Sequence, residues 1–250
     1  MNLSLFKACE IVGIPPNVWM VPNPIKIYEF FSVVRASGLQ RDHSILDLGC
    51  GKGHWTLWLA HRCRRAVGVD ASNKKIETAR NFLRNSFLKR HVEFLCARFE
   101  EVDLPSSSLD RVYSFSVLEH IGNLDVVLCR VTKLLKPGGE FHASVDCLTS
   151  VKDQVLINKH KQDNSVIQYF TESSLREKFK NAGLRVIDIS PILTSDFARR
   201  EFEKRISKSY KQNLIRRFLL YRHFSYGDTK SDRHQGIMLV ARGQKPNSKI

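Results

Sequence analysis

ILDLGCGKG, residues 45–53, carries a short apolar run into a turn with glycine at positions 49, 51 and 53. Glycines at alternate positions let the backbone come close to a ligand lying across the carboxyl end of a strand. The spacing is G-x-G-x-G. It is neither the dinucleotide fingerprint G-x-G-x-x-G nor the nucleoside-triphosphate loop G-x-x-x-x-G-K-[ST]. HWTLWLAHRC (54–63) follows with helical spacing, so the segment reads as strand, ligand-facing turn and helix.

The same rhythm continues outward. AVGVD (66–70), VEFLCARF (92–99), LDRVYSFSVL (109–118) and GEFHASVD (139–146) read as further strands. Helical segments separate them at 73–87 and 124–135, and another follows at 171–184, where a capping box around Thr171 and Ser174 opens it and Gly183 ends it. RVIDISPI (185–192) and GIMLVARG (236–243) add two more strands. Short apolar strands alternating with helices predict an α/β, Rossmann-like, doubly wound, mostly parallel sheet covered by helices on both faces. One domain over 1–250 accounts for the whole alternation. Residues 1–40 stand before it as a cap segment, with Pro15, Pro16, Pro22 and Pro24 making 11–25 an irregular apolar loop and 25–37 a helix. Residues 147–170 and 193–235 fall outside the rhythm. The second insert sets eleven Lys and Arg against five Asp and Glu, with seven Phe and Tyr interleaved, and is expected to form a substrate lid.

Composition narrows the class. The 250 residues are 42% hydrophobic and carry 40 Lys and Arg against 25 Asp and Glu, a net charge of +15. That balance favours anionic partners: nucleic acid, a membrane face, or phosphorylated or carboxylated substrates. The six cysteines form no CxxC pair or Cys/His cluster, so no metal site is expected; Cys96, Cys129 and Cys147 read as small core residues. The N-terminus is a poor signal peptide and no apolar run approaches the roughly 20 residues that span a bilayer, so a cytoplasmic location is expected.

VGVD places Asp70 at the end of the second strand, where a carboxylate accepts from ribose hydroxyls. With this residue added, the sequence resembles the class I S-adenosylmethionine-dependent methyltransferases, in the branch containing "LEH" and "LKPGG". ILDLGCGKG (45–53), VGVD (67–70), LDRVYSFSVLEHI (109–121), LLKPGGEF (134–141) and TESSLREKFKNAGLRV (171–186) occur in that family's order. The resemblance implies seven strands, the last inserted antiparallel between the fifth and sixth. It implies S-adenosyl-L-methionine as cofactor and S-adenosyl-L-homocysteine as product. Asp47, Gly49, Cys50, Gly51 and Gly53 would surround the amino-acid part, and Asp70 with Ala71 the ribose. Cys96–Phe99, including Arg98 and Phe99, would flank the adenine, and Ser116 and Val117 the methyl-sulfonium. Arg98 departs from the family, which often has an acidic residue there to accept from the adenine amine; Glu100 or backbone would serve instead.

SFSVLEHI (114–121) ends a buried pattern in Glu119 and His120, beside the expected methyl donor. Transfer to an alcohol requires removal of its proton, and histidine suits that task at neutral pH. His120 is therefore the candidate base, unless it only orders its loop, and Glu119 its orienting helper. His54 and His234 are weaker candidates; His142, Trp55 and Trp58 read as packing. No Pro-Pro loop of the base-amine methyltransferases follows strand four, and no RNA-binding module is appended. The expected acceptor is a small or carrier-linked molecule bearing an anionic group, methylated on a sugar, lipid-like or natural-product hydroxyl. The alternatives are an RNA methyltransferase and a non-catalytic binding subunit.

Overall fold

The computed structural model describes residues 21, 23–84, 86–207, 214–230 and 235–247. Helix α1 (Pro24–Arg35) leads into β1 (Ser44–Leu48), α2 (His54–Ala60), β2 (Arg65–Asp70), α3 (Asn73–Arg84) and β3 (Val92–Cys96). Then come β4 (Leu109–Phe115), α4 (Leu124–Leu134), β5 (Leu135–Asp146), α5 (Gln154–Asp163), α6 (Glu172–Asn181) and β6 (Arg185–Ile192). Helices α7 (Asp196–Ser207) and α8 (Leu214–Lys230) precede β7 (Met238–Gln244). The sheet order is β3-β2-β1-β4-β5-β7-β6. The pairs β1–β2, β1–β4, β2–β3 and β4–β5 are parallel, and β7 runs antiparallel to both neighbours. The seven-stranded Rossmann-like sheet expected from the alternation is therefore present, with the last strand inserted as the resemblance implied.

β1 is buried along its whole length, as a central parallel strand covered on both faces must be. α1 starts at Pro24, whose missing N–H costs nothing at the first helical position, and Asn23 accepts from the Ile25 amide at 3.0 Å. This proline thus opens a helix instead of ending the loop; Pro15, Pro16 and Pro22 lie outside the described residues. β5 begins at Leu135, four residues earlier than the pattern suggested: Leu135 pairs with Leu109 before a bulge shifts the register. The capping box at Thr171 forms as read from the sequence. Cys147 is buried, but Cys96 and Cys129 are exposed, a correction to their assignment as core. Cys96 ends β3 at the sheet edge, and Cys129 lies on the outward side of α4, whose inner side carries Leu124, Val127, Leu128 and Val131.

Both irregular inserts contain helix. α5 lies in 147–170 and was not expected. α7 and α8 account for most of 193–235, and Tyr28, Ile192, Leu193, Phe202, Leu220 and Phe224 join them to α1 and β6 in one apolar cluster. A single carboxylate clamps this junction. Asp228 accepts from the Tyr28 hydroxyl and the Leu193 and Thr194 amides, all at 2.8 Å, and from the Thr194 hydroxyl at 3.0 Å. Lys208, Tyr210, Lys211, Asp232, Arg233 and His234 of the insert, and the side chains of Arg217, Phe218 and Lys230, lie outside the described residues. No helix among those described is long and apolar enough to cross a membrane.

Asp228→Ala should loosen the insert while sparing the sheet, because it strands four donors, one on α1 and three in the connection after β6. Urea unfolding should show a loss of about 1–3 kcal/mol, and limited proteolysis should move to residues 196–230.

Candidate functional site

The glycine turn works by backbone conformation. Gly49 (φ +73°) and Gly51 (φ +55°) are left-handed, a region that side chains other than glycine rarely adopt. A Cβ on Gly49 would run into the Val117 side chain, whereas one on Gly51 would meet nothing within 4 Å. The Gly49 and Cys50 amides donate to the Val69 carbonyl at 2.8 and 2.9 Å, tying the turn to β2. Asp70, at the end of β2, accepts from the Gly51 amide at 3.0 Å and the Ser72 amide at 2.9 Å, with Lys75 Nζ 3.8 Å away.

A cleft of about 910 Å³ opens along this edge, at the carboxyl ends of the strands. Of the sequence-derived candidates, Gly49, Asp70, Ala71, Arg98, Phe99, Ser116, Val117 and His120 line it. Asp47, Cys50, Gly51, Gly53 and Glu119 are not among its wall residues. Asp47 and Cys50 are buried behind the turn, where the Thr56 hydroxyl donates to Asp47 Oδ2 at 2.6 Å. Burial raises the Asp47 carboxyl to about 7. Arg98 points largely to solvent, 3.8 Å from Glu100 on the same wall.

A second cavity of about 380 Å³ adjoins the cleft, and the two share Ser116, His120 and Asn164. Its lining is mixed: Lys26, Asp146, His160, Asp163 and Arg205 are polar, and Ile25, Phe202, Ile206 and Met238 are apolar. Ser116 sits at the boundary in a left-handed conformation (φ +49°), a strained state for a serine that its contacts must hold. Lys26 Nζ donates to Ser116 Oγ at 2.6 Å, and the hydroxyls of Ser116 and Ser144 both donate to Glu29 Oε1 at 2.6 Å. Lys26 also lies 2.8 Å from Glu29 Oε2. Burial works against the Lys26 charge, but Glu29 and Asp146 hold its ammonium above the usual lysine range.

Glu119 and His120 part company. Glu119 is wholly buried, and its Oε1 accepts from the Asp146 amide at 3.3 Å. Burial and the neighbouring Asp146 push its carboxyl well above the usual range. It braces the end of β5 and reaches neither chamber, a correction to its expected role as helper of His120. His120 is exposed to both chambers, and its Nδ1 lies 3.2 Å from the Ser165 carbonyl. A carbonyl only accepts, so Nδ1 carries the proton and Nε2 of the neutral ring keeps a lone pair. Elsewhere, burial lowers His54 to about 4, beside Phe82. His142 stacks on Tyr113 with Nε2 3.1 Å from Glu140, and Trp55 stacks on Phe30. Lys26, Glu29, Ser144, Asp146 and His160 went unnoticed in the sequence. No His, Cys, Asp and Glu grouping among the described residues could hold a metal ion.

A glycine turn, a strand-end carboxylate and a cleft at the carboxyl edge define an α/β protein built around a nucleoside-bearing cofactor. Residues 46–143 match the methyltransferase-domain family. An uncharacterized methyltransferase of Schizosaccharomyces pombe is 33% identical over 143 residues, 56% of this chain and 52% of that protein. The ubiquinone biosynthesis O-methyltransferase of Coxiella burnetii is 25% identical over 204 residues, covering 76% of this chain and 86% of that one. Geranyl diphosphate C-methyltransferase of Streptomyces coelicolor A3(2), solved with Mg2+, geranyl diphosphate and S-adenosyl-L-homocysteine, superposes with TM-score 0.67 at 14% identity, over 87% of this chain and 76% of that one. The chain spans about half or less of the length of several other curated relatives it matches. The matched core is similar to the methyltransferase-domain family, and the sheet that carries it has the fold of solved S-adenosylmethionine-dependent methyltransferases. The residues fit S-adenosylmethionine: a side chain at Gly51 would project into space that the turn leaves open, and Asp70 lines the cleft.

The raised Asp47 carboxyl has a pH signature. The folded protein holds its proton up to about 7, the unfolded chain only to 3.8, so stability falls as pH rises between the two and levels off above. Asp47→Asn lacks this loss. Urea unfolding at pH 5 and pH 8 should show the variant gaining on the wild type; a pH-independent difference would refute the assignment.

Proposed function

We propose that this chain transfers the methyl group of S-adenosylmethionine to a hydroxyl of a small or carrier-linked acceptor, with His120 receiving the proton. The observation that carries the proposal is the position of His120, on the wall shared by cleft and cavity, with Nδ1 engaged by Ser165 and Nε2 open. The cofactor supplies a sulfonium-activated methyl group. Asp70 would hold its ribose, the Gly49–Gly51 turn its amino-acid part, and Ala97, Arg98 and Phe99 its adenine. Arg98 can only donate, so Glu100 is the side chain available to accept from the adenine amine. Ser116 and Val117 border the reacting end.

The protein's work is alignment and exclusion of water, with general-base help worth on the order of 10²–10⁴ in rate. The acceptor cavity suits an amphipathic group, such as a sugar, lipid-like or natural-product hydroxyl, laid among its polar and apolar residues. Lys26 and Arg205 supply cations for an anionic substituent, and α7 forms part of the roof. The similarity to an O-methyltransferase along most of that protein's length supports this choice.

Calorimetry should show binding of S-adenosylmethionine and S-adenosylhomocysteine; binding of neither would defeat the proposal. His120→Ala should keep cofactor affinity and lose about 10²–10⁴ in turnover. Unchanged turnover would reduce His120 to a loop brace.

A further inference from the structure

Asp146 ends β5 at the acceptor cavity, its side chain only 10% exposed. Its backbone is fixed, since its amide donates to Glu119 Oε1 and its carbonyl accepts from the Phe170 amide at 3.1 Å. Its carboxylate has no hydrogen-bond donor among the described residues. The nearest approach is His160 Nε2 at 3.7 Å, beyond hydrogen-bond reach. His160 is itself held: Nδ1 lies 3.0 Å from the Tyr169 hydroxyl, which lies 3.3 Å from the Ile157 carbonyl. A carboxylate taken from bulk water without donors is costly, and shielded polar groups are nearly always partnered. Burial accordingly holds its carboxyl above the usual range, with Lys26 and His160 pulling the other way. Asp146 lines the cavity that the reading above assigns to the acceptor.

We propose that Asp146 accepts a hydrogen bond from a second hydroxyl of the acceptor, near the one methylated, so that the cavity selects polyhydroxylated acceptors over singly hydroxylated ones. The inference rests on the O-methylation reading above. The cavity already sets Lys26 and Arg205 beside Asp146 and Asp163, so a neutral hydroxyl donor leaves that balance of charge unchanged. No bond forms or breaks at Asp146. It is a specificity residue, and the proton of the reacting hydroxyl still goes to His120.

The test uses the full chain with S-adenosylmethionine and matched acceptor pairs: catechol against phenol, and glucose against its mono-deoxy analogues. Formation of S-adenosylhomocysteine gives kcat/KM, and equilibrium dialysis against the product-saturated protein gives acceptor affinity. A donor meeting a charged, shielded acceptor should favour the polyol by about 10- to 100-fold in at least one pair. Asp146→Asn should shrink that preference and Asp146→Ala should bring it below about two-fold, acting on the polyol alone. Cofactor affinity, measured separately, reports that each variant has folded. The wild-type pairs need no variant at all. Equal transfer to both members of every pair, or a preference that survives Asp146→Ala, would overturn the subsite while leaving O-methylation standing. Cofactor binding with transfer to no hydroxyl in any pair would overturn both.

Discussion

Glu29 is a carboxylate with 1% of its surface exposed, lodged where α1 crosses the ends of β4 and β5. A buried charge of this kind persists only when paired and hydrogen-bonded, because desolvation otherwise exceeds any local gain. Here one oxygen takes two serine hydroxyls and the other meets Lys26. The consequences spread from that point. The N-terminal helix is fixed to the sheet by polar bonds as well as by the packing of Phe30 and Val33. Ser116 is held in a backbone conformation it would otherwise avoid, and through it the turn after β4 is set. That turn presents Val117 to the glycine loop on one side and His120 to the smaller cavity on the other.

The result is a division of labour between two chambers sharing one wall. Backbone and glycine shape the larger cleft, which suits a ligand of constant structure approached closely by main chain. Side chains from distant parts of the sequence shape the smaller cavity: α1 gives Lys26, β5 gives Asp146, α5 gives His160, α7 gives Phe202 and Arg205. The paired acidic groups Glu119 and Asp146 at the end of β5 do different things. One is turned inward as a brace, and the other lines the cavity.

This division explains what the sequence disclosed. β1, its glycine turn and Asp70 form a local pattern of apolar run, glycine spacing and strand-end carboxylate, so they were legible at once. The order of strands along the chain was legible too, because each is short, apolar and bounded by helix. α5 was not, since its sequence QVLINKHKQD buries only His160 and shows no apolar face. Cys96 and Cys129 misled because apolar neighbours in sequence flank positions that face outward in space. Glu119 and His120 are adjacent, yet the tight turn at Leu118–His120 sends one inward and one out. Asp146 had a readable signal, a carboxylate ending an apolar strand at the edge where ligands gather. Lys26, Glu29 and His160 had none, because only tertiary packing brings 24–35 and 154–163 to that edge.

The antiparallel return of β7 has a consequence for how such a chain diversifies. Because β7 lies between β5 and β6, α7 and α8 leave the sheet at Ile192 and come back at Met238, whose Cα atoms are register partners. Entry and exit are thus stapled together by strand pairing, and Asp228 latches the excursion from within. The two helices are therefore a detachable cassette between fixed hinges. Lineages could exchange it wholesale without disturbing the glycine turn, and a protein engineer could graft at the same two points.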